Sequence, residues 1–147
     1  MLKGHSARII DIPVFNAMNT GLRARLAEII TSISEPRTLK KGEVLYKKGA
    51  EDANTGAVLI EGTLVVESDD SSEIRVIAPD MLGEMLQFDT YGQRTATVKA
   101  DGPATVLEFK WHDFIARVRD TPAIGQNDQV ALKAALESYA SKRLHQL

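Results

Sequence analysis

The feature that most constrains the fold is a series of short apolar runs between Thr38 and Lys110, separated by glycine, proline and aspartate. Runs such as EVLYKKGA, AVLIEGTLVVES, EIRVIAPD and RTATVKADGPATVLEFK are rich in β-branched residues, which is typical of β-strands. Tight turns between strands are predicted at Glu61-Gly62 and Asp101-Gly102. Several short strands at this spacing favour a sandwich, jelly roll or small barrel.

Helical patterns flank this region on both sides. In NTGLRARLAEIITSI, apolar residues recur every three or four positions, and Asn19 or Thr20 can cap the helix start. WHDFIARVRD predicts a short amphipathic helix, and the segment after Thr121 predicts a helix of about 20 residues. One stripe of this long helix contains Leu132, Leu136, Tyr139, Ala140, Leu144 and Leu147. Because the stripe exceeds what one face of a small β domain needs, we predict a homodimer contact through this C-terminal helix.

These patterns predict a single domain, 1–147, that is mainly β with flanking helices. Its parts are an N-terminal helical segment at about 1–36, an antiparallel β-roll or jelly roll (double-stranded β-helix) at 37–110, and C-terminal helices at 111–147. The length of 147 residues, with 44% hydrophobic and 26% charged residues, is typical of one globular domain.

Composition excludes several classes of function. A formal net charge of −2 argues against direct nucleic-acid binding, which needs a basic surface. The absence of cysteine excludes disulfides, zinc–thiolate sites and thiol catalysis. The histidines His5, His112 and His145 lack metal-ligand spacing, so neither a metal site nor a cupin-like enzyme is expected. No apolar run reaches membrane-spanning length, so we expect a cytoplasmic protein without membrane contact.

The stretch LGEMLQFDTYGQRTATVKA, residues 82–100, contains the candidate ligand site. After Gly83 the chain can form one or two helical turns, whose first N–H groups attract anions. Arg94 can fold back toward this helix start, and its planar guanidinium is suited to phosphate. Thr95 adds a hydroxyl, and Glu84 fits a ligand that also carries hydroxyl donors, such as a phosphorylated sugar.

A purely structural interpretation of these residues stays open on residue chemistry alone. A glutamate in the first helical turn is favourable by about 0.3–1 kcal/mol through the helix dipole. An arginine at the start of a strand is usually a solvated surface group, and Glu84 and Arg94 can also pair with each other.

The order of elements and the motifs together resemble the cyclic nucleotide-binding domain family of catabolite activator-type regulators, cyclic-nucleotide-dependent kinases and nucleotide-gated channels. The similarity runs from about Phe15 to about Leu144 and depends on LKKGEVLYKKGAEDA, VLIEGTLVVES, LGEM, QRTATVKA and VLEFKWHDF. Its most specific element is GE, a loop, and then RTA. The ten-residue step from Glu84 to Arg94 resembles the catabolite activator branch. The family's fold is a β-roll with a short phosphate-binding helix between two strands, flanked by helices.

The resemblance implies that Arg94 pairs with the cyclic phosphate, that Glu84 accepts the ribose 2′-hydroxyl, and that Thr95 bonds the phosphate or the base. The implied ligand-binding positions in the motif are Gly83, Glu84, Met85, Leu86, Arg94, Thr95 and Ala96. Tyr139 is the candidate for an aromatic lid on the base, with packing at a helix interface as an equal alternative.

The ligand implied is cAMP or cGMP. A threonine at position 95 is frequent in members that prefer cGMP, whereas the catabolite-type loop favours cAMP or binding of both nucleotides. Gly56-Ala57 departs from the family, which usually has a large residue before the third strand of the roll.

The expected function is therefore a non-enzymatic sensor that binds a cyclic nucleotide and signals to an effector protein through movement of its C-terminal helix. No stretch resembles a helix-turn-helix, so direct DNA contact is not expected. The alternative is a domain of the same fold with a degenerate pocket that acts in protein interaction or dimerisation.

Overall fold

The computed structural model describes residues 9–49, 55–67, 73–82 and 96–146, with side chains described as far as residue 139. A 3₁₀ turn, Pro13–Phe15, precedes the first helix. The described helices are α1 (Thr20–Ile33), α2 (Trp111–Asp120) and α3 (Gln126–Gln146). The described strands are β1 (Glu35–Leu39), β2 (Val44–Tyr46), β3 (Thr55–Glu61), β4 (Thr63–Glu67), β5 (Glu73–Ile77), β6 (Asp80–Leu82), β7 (Thr97–Ala100) and β8 (Ala104–Lys110).

The strands form two antiparallel four-stranded sheets. The first sheet has the order β1-β8-β3-β6 and the second has the order β2-β7-β4-β5. Chain neighbours β3 and β4 lie in different sheets, and so do β7 and β8. The turns predicted at Glu61-Gly62 and Asp101-Gly102 are therefore confirmed as turns, but each carries the chain between sheets and neither closes a hairpin. The predicted β-roll with flanking helices is confirmed.

Gly62 brings these two turns into contact. Its φ of 92° lies in the left-handed region, and a Cβ there would be 2.4 Å from the carbonyl oxygen of Pro103. Its own carbonyl accepts a hydrogen bond from Ala78 N–H at 3.2 Å. Only glycine therefore satisfies both the backbone conformation and the close approach.

Strands β3 and β8 of the first sheet alternate their side chains between two hydrophobic clusters, because successive residues of a strand point to opposite faces. The inner cluster lies between the sheets and consists of Leu39, Leu45, Tyr46, Ala57, Leu59, Leu64, Val66, Val76, Leu82, Ala96, Val98, Ala100, Ala104 and Val106. The outer cluster packs the first sheet against the helices; it includes Val58, Ile60, Leu107 and Phe109 from the sheet and Leu26, Ile30, Trp111 and Phe114 from the helices.

The helices follow their predicted patterns. The side chain of Asn19 caps α1 by accepting a hydrogen bond from Leu22 N–H at 2.8 Å. The stretch predicted as a short amphipathic helix is α2, which buries Trp111, Phe114 and Val118. The long predicted helix is α3, with 21 residues. Within the described part of the chain, no helix is both long and apolar enough to cross a membrane.

The stripe predicted along α3 meets the outer cluster over its first half. Leu132 is buried there, and Leu136 and Tyr139 pack against the cluster while partly exposed. The side chains of Ala140 and Leu144, and the whole of Leu147, lie outside the described residues, so the homodimer contact through this stripe stays a prediction.

Candidate functional site

The candidate ligand segment, 83–95, lies outside the described residues. The roles of Gly83, Glu84, Met85, Leu86, Arg94 and Thr95 therefore stay predictions. The structure does describe the two residues that flank the segment, Leu82 at the end of β6 and Ala96 just before β7. Both flanking side chains are buried in the inner cluster, so both ends of the segment are anchored between the two sheets.

The two flanks reach the inner cluster from different sheets. β6 is the edge strand of the first sheet, whereas β7 lies inside the second sheet between β2 and β4. Leu82 is paired with Ala57 of β3. Ala57 and Ala96 are both small and apolar, and both belong to the inner cluster.

The departure from the family at Gly56-Ala57 has a packing cause. Gly56 is paired with Phe109 on β8, and a Cβ at position 56 would lie 2.8 Å from Phe109 Cζ and from the ring of Trp111. Phe109, Trp111 and Phe114 form an aromatic group with centroid separations of 4.9 to 5.8 Å. A large side chain at position 56 is therefore excluded by these rings, which occupy its space.

Tyr139 of α3 contacts the strand that leads into the candidate segment. Its hydroxyl donates a hydrogen bond of 2.6 Å to Oδ1 of Asp80, the first residue of β6. The same oxygen accepts from Met81 N–H at 2.7 Å, and Asp80 is buried. Tyr139 thus packs at a helix interface, the alternative set beside its lid role; the lid role itself stays a prediction.

Asp80 is the residue of this region that the sequence prediction missed. It lies three positions before Gly83 in IAPDMLGE, a solitary acid ahead of a short apolar strand. An acid in that position is buried only when a donor is supplied to it. Besides the adjacent Met81 N–H, the donor is Tyr139, which is 59 positions away in the chain, so no local pattern identifies the pair of Asp80 and Tyr139.

The resolved pKa shifts in the described residues lie at the other end of β7 from Ala96. Arg75 donates a hydrogen bond to Asp101, which directly follows β7. This hydrogen bond and the positive charge of Arg75 lower the pKa of Asp101 below its usual value, and the same hydrogen bond and the negative charge of Asp101 raise the pKa of Arg75. Among the described residues, no cluster of three or more histidines and carboxylates is arranged to hold a metal ion.

Comparison with known proteins identifies the family. The family model of the cyclic nucleotide-binding domain matches residues 36–120, more than half of the chain and the whole of the candidate segment. The chain belongs to the cyclic nucleotide-binding domain family. This is a family of regulatory and sensor domains, as the resemblance implied. Among curated proteins, no sequence matches the chain significantly.

Solved structures share the fold. The sensor domain of the transcriptional regulator DNR from Pseudomonas aeruginosa is 19% identical, with a TM-score of 0.66 over 99% of this chain and 91% of that one. The regulatory domain of PKA from Toxoplasma gondii, solved with cAMP, is 16% identical, with a TM-score of 0.68 over 96% of this chain and 50% of that one. The global regulator CLP of Xanthomonas campestris, described as c-di-GMP responsive, is 20% identical, with a TM-score of 0.65 over 84% of this chain and 60% of that one.

Proposed function

We propose that this chain is a regulatory module that binds cAMP or cGMP in segment 83–96 and signals through α3. The observation that carries the proposal is the family match over residues 36–120, which contains both halves of the candidate site. The buried flanks of the segment support it, because they fix both ends of the ligand-binding stretch to one core.

The residue chemistry of segment 83–96 fits a ribose cyclic phosphate. Arg94 supplies the cation and the parallel donors that a phosphate needs, and Glu84 supplies the acceptor that a ribose hydroxyl needs. Backbone N–H groups after Gly83 complete the phosphate contact. Thr95 then contacts the phosphate or the base, and Ala96 leaves room beside them at the wall of the roll.

The contact between Tyr139 and Asp80 supports signalling through α3. A ligand that moves the start of segment 83–95 also moves β6, to which Gly83 is directly joined. Because Asp80 on β6 accepts the hydrogen bond of Tyr139, any such movement changes the free energy of α3 packing. By linkage, an effector that prefers one position of α3 changes nucleotide affinity by the same factor.

The proposal is tested by calorimetric titration with cAMP, cGMP and a cyclic dinucleotide. We expect one of the mononucleotides to bind the wild type, and Arg94→Ala to weaken binding by about tenfold to hundredfold, because a charge-assisted phosphate contact is lost. Arg25→Ala, at an exposed arginine of α1, is the matched control and retains wild-type affinity. Wild-type affinity in Arg94→Ala would reject this site.

A second candidate function is an interaction or dimerisation module with an altered pocket. The feature that favours it is Ala57, a small residue of the inner cluster paired with Leu82, in the stretch where the resemblance implies a large residue. In that case no cyclic nucleotide raises the melting temperature of the protein. Dimerisation then depends on the C-terminal part of the stripe predicted along α3, which contains Ala140, Leu144 and Leu147. Light scattering of Leu144→Glu tests the stripe, and an unchanged mass would remove the dimer.

A further inference from the structure

A groove of about 500 Å³ lies between α2 and α3, outside the roll. Its floor is formed by side chains of the outer cluster, including Trp111, Phe114 and Leu132. Ile115 of α2 and Val130 of α3 line its sides and are 51% and 63% exposed. The groove is therefore an apolar surface that the described part of the chain leaves open to solvent.

Exposure of these two side chains is unusual for this chain. Among the described residues, the large hydrophobic side chains classed as exposed are Val44, Ile77, Ile115 and Val130. Two of these four, Ile115 and Val130, line the groove between α2 and α3. Single exposed apolar residues, such as Val44 and Ile77, are common on protein surfaces and need no explanation. Exposed apolar side chains gathered in one groove make that groove a candidate binding surface.

The charged side chains that line the groove are Arg119 and Lys133, and both are positive. Arg119 forms an ion pair of 3.2 Å with Asp120, which is not part of the lining, and Lys133 has no ion-pair partner within the described residues. A molecule that fits this surface therefore combines an apolar face with negative charge at its edge.

The geometry of the groove favours a helix over an extended peptide. Both walls are helices, whose backbone groups are already hydrogen-bonded, so an added strand would find no backbone partners. The lining of α3 runs from Gln126 to Leu136, which at the helical rise is about 15 Å, or two to three turns. A second copy fits poorly, because a two-fold contact of the groove with itself brings the positive Arg119 and Lys133 of one copy against the same positive surface of the other.

We propose that the groove between α2 and α3 is a docking site for an amphipathic helix of a partner protein, with an apolar face flanked by acidic residues. The proposal does not depend on nucleotide binding, because the groove lies outside the roll and none of its lining residues belongs to segment 83–96.

The test uses a synthetic amphipathic peptide of about 18 residues with a leucine face flanked by glutamates, and the same peptide with lysines in place of the glutamates. Trp111 is the sole tryptophan of the chain and lies buried in the floor of the groove, so its fluorescence reports changes in packing there when a peptide binds. We expect saturable binding of the acidic peptide at low salt, at least about tenfold tighter than that of the basic peptide.

Variants separate the groove from the rest of the surface. Ile115→Glu and Val130→Glu change exposed positions and should fold normally, yet each should weaken the acidic peptide by about tenfold or more. Ile77→Glu is the matched control, because Ile77 is 69% exposed but lies on β5 outside the groove, and it should bind as the wild type does.

Three outcomes overturn the proposal. The acidic peptide does not bind, both peptides bind equally well, or Ile77→Glu weakens binding as much as Ile115→Glu and Val130→Glu do. A fourth is a wild-type dimer in sedimentation velocity that Val130→Glu converts to monomer, since the occupant would then be a second copy.

Discussion

Removal of the Tyr139 hydroxyl is the most direct way to test whether α3 is coupled to the candidate segment. In Tyr139→Phe the ring keeps its packing against the outer cluster, but the 2.6 Å hydrogen bond to Asp80 is lost. Asp80 is not left without donors, because Met81 N–H still reaches the same carboxylate oxygen at 2.7 Å. The substitution therefore removes the hydrogen bond between Tyr139 of α3 and Asp80 of β6 and keeps the aromatic ring against the outer cluster.

The size of the effect follows from the chemistry of this bond. A hydrogen bond to a charged group contributes about 1.5–3 kcal/mol, and the retained Met81 bond reduces the loss to about 1–2 kcal/mol. That loss lowers Tm by roughly 3–6 °C for a chain of this length. If nucleotide binding alters this contact, the same free energy changes nucleotide affinity by about 5- to 30-fold.

The assay combines calorimetric titration of the bound nucleotide with hydrogen exchange along α3. We expect the nucleotide-dependent change in α3 exchange to shrink in Tyr139→Phe, with Ser138→Ala, at an exposed neighbouring position, as control. A double-mutant cycle with Asp80→Asn should give a coupling energy of about 0.5–3 kcal/mol. Nucleotide affinity within about twofold of wild type, together with an unchanged exchange response of α3, would refute the coupling.

Three further predictions concern the stability of the fold. Gly62→Ala should destabilise the fold by roughly 1–3 kcal/mol more than Gly42→Ala, since both have positive φ but position 42 has open space around it; urea unfolding measures the difference. Gly56→Ala should lower the free energy of unfolding by about 1–3 kcal/mol through overpacking against the aromatic rings. A free energy of unfolding equal to that of the wild type would show that Phe109 and Trp111 shift to make room for the methyl group. Because Arg75 lowers the pKa of Asp101, their pair stabilises the fold above the ordinary aspartate value of 3.8 and loses this effect as the pH falls through the lowered pKa. Asp101→Asn should therefore lower Tm slightly at about pH 6, and the difference in Tm from the wild type should shrink as the pH falls through the lowered pKa.

The sequence predicted the elements better than their pairing, because propensity and periodicity are local. The periodic apolar residues of α1 and the Asn19 cap lie within a few positions of one another, so they could be identified from the chain alone. The pairing of β3 with both β8 and β6 joins distant stretches, and nothing in either strand specifies its partner.

The candidate site was predictable only in its motif. Glu84 and Arg94 are recognisable because their residue types and spacing resemble the family motif, and their roles stay predictions. The contact between Asp80 and Tyr139 depends on where α3 lies against the first sheet, which is a tertiary property. Likewise, Gly56-Ala57 could be identified as unusual, but its cause, the ring of Trp111 over Gly56, required the structure.

The burial of Leu82 and Ala96 in one cluster has a consequence for how such domains diversify. The pairing of β3 with β8 and of β4 with β7 involves no residue between these two positions. The free energy needed to close a loop between fixed ends rises only slowly with its length. A longer or shorter segment from another family member can therefore be exchanged between Leu82 and Ala96 while the sheets keep their register, and if the proposed site is correct, that one continuous replacement changes ligand choice.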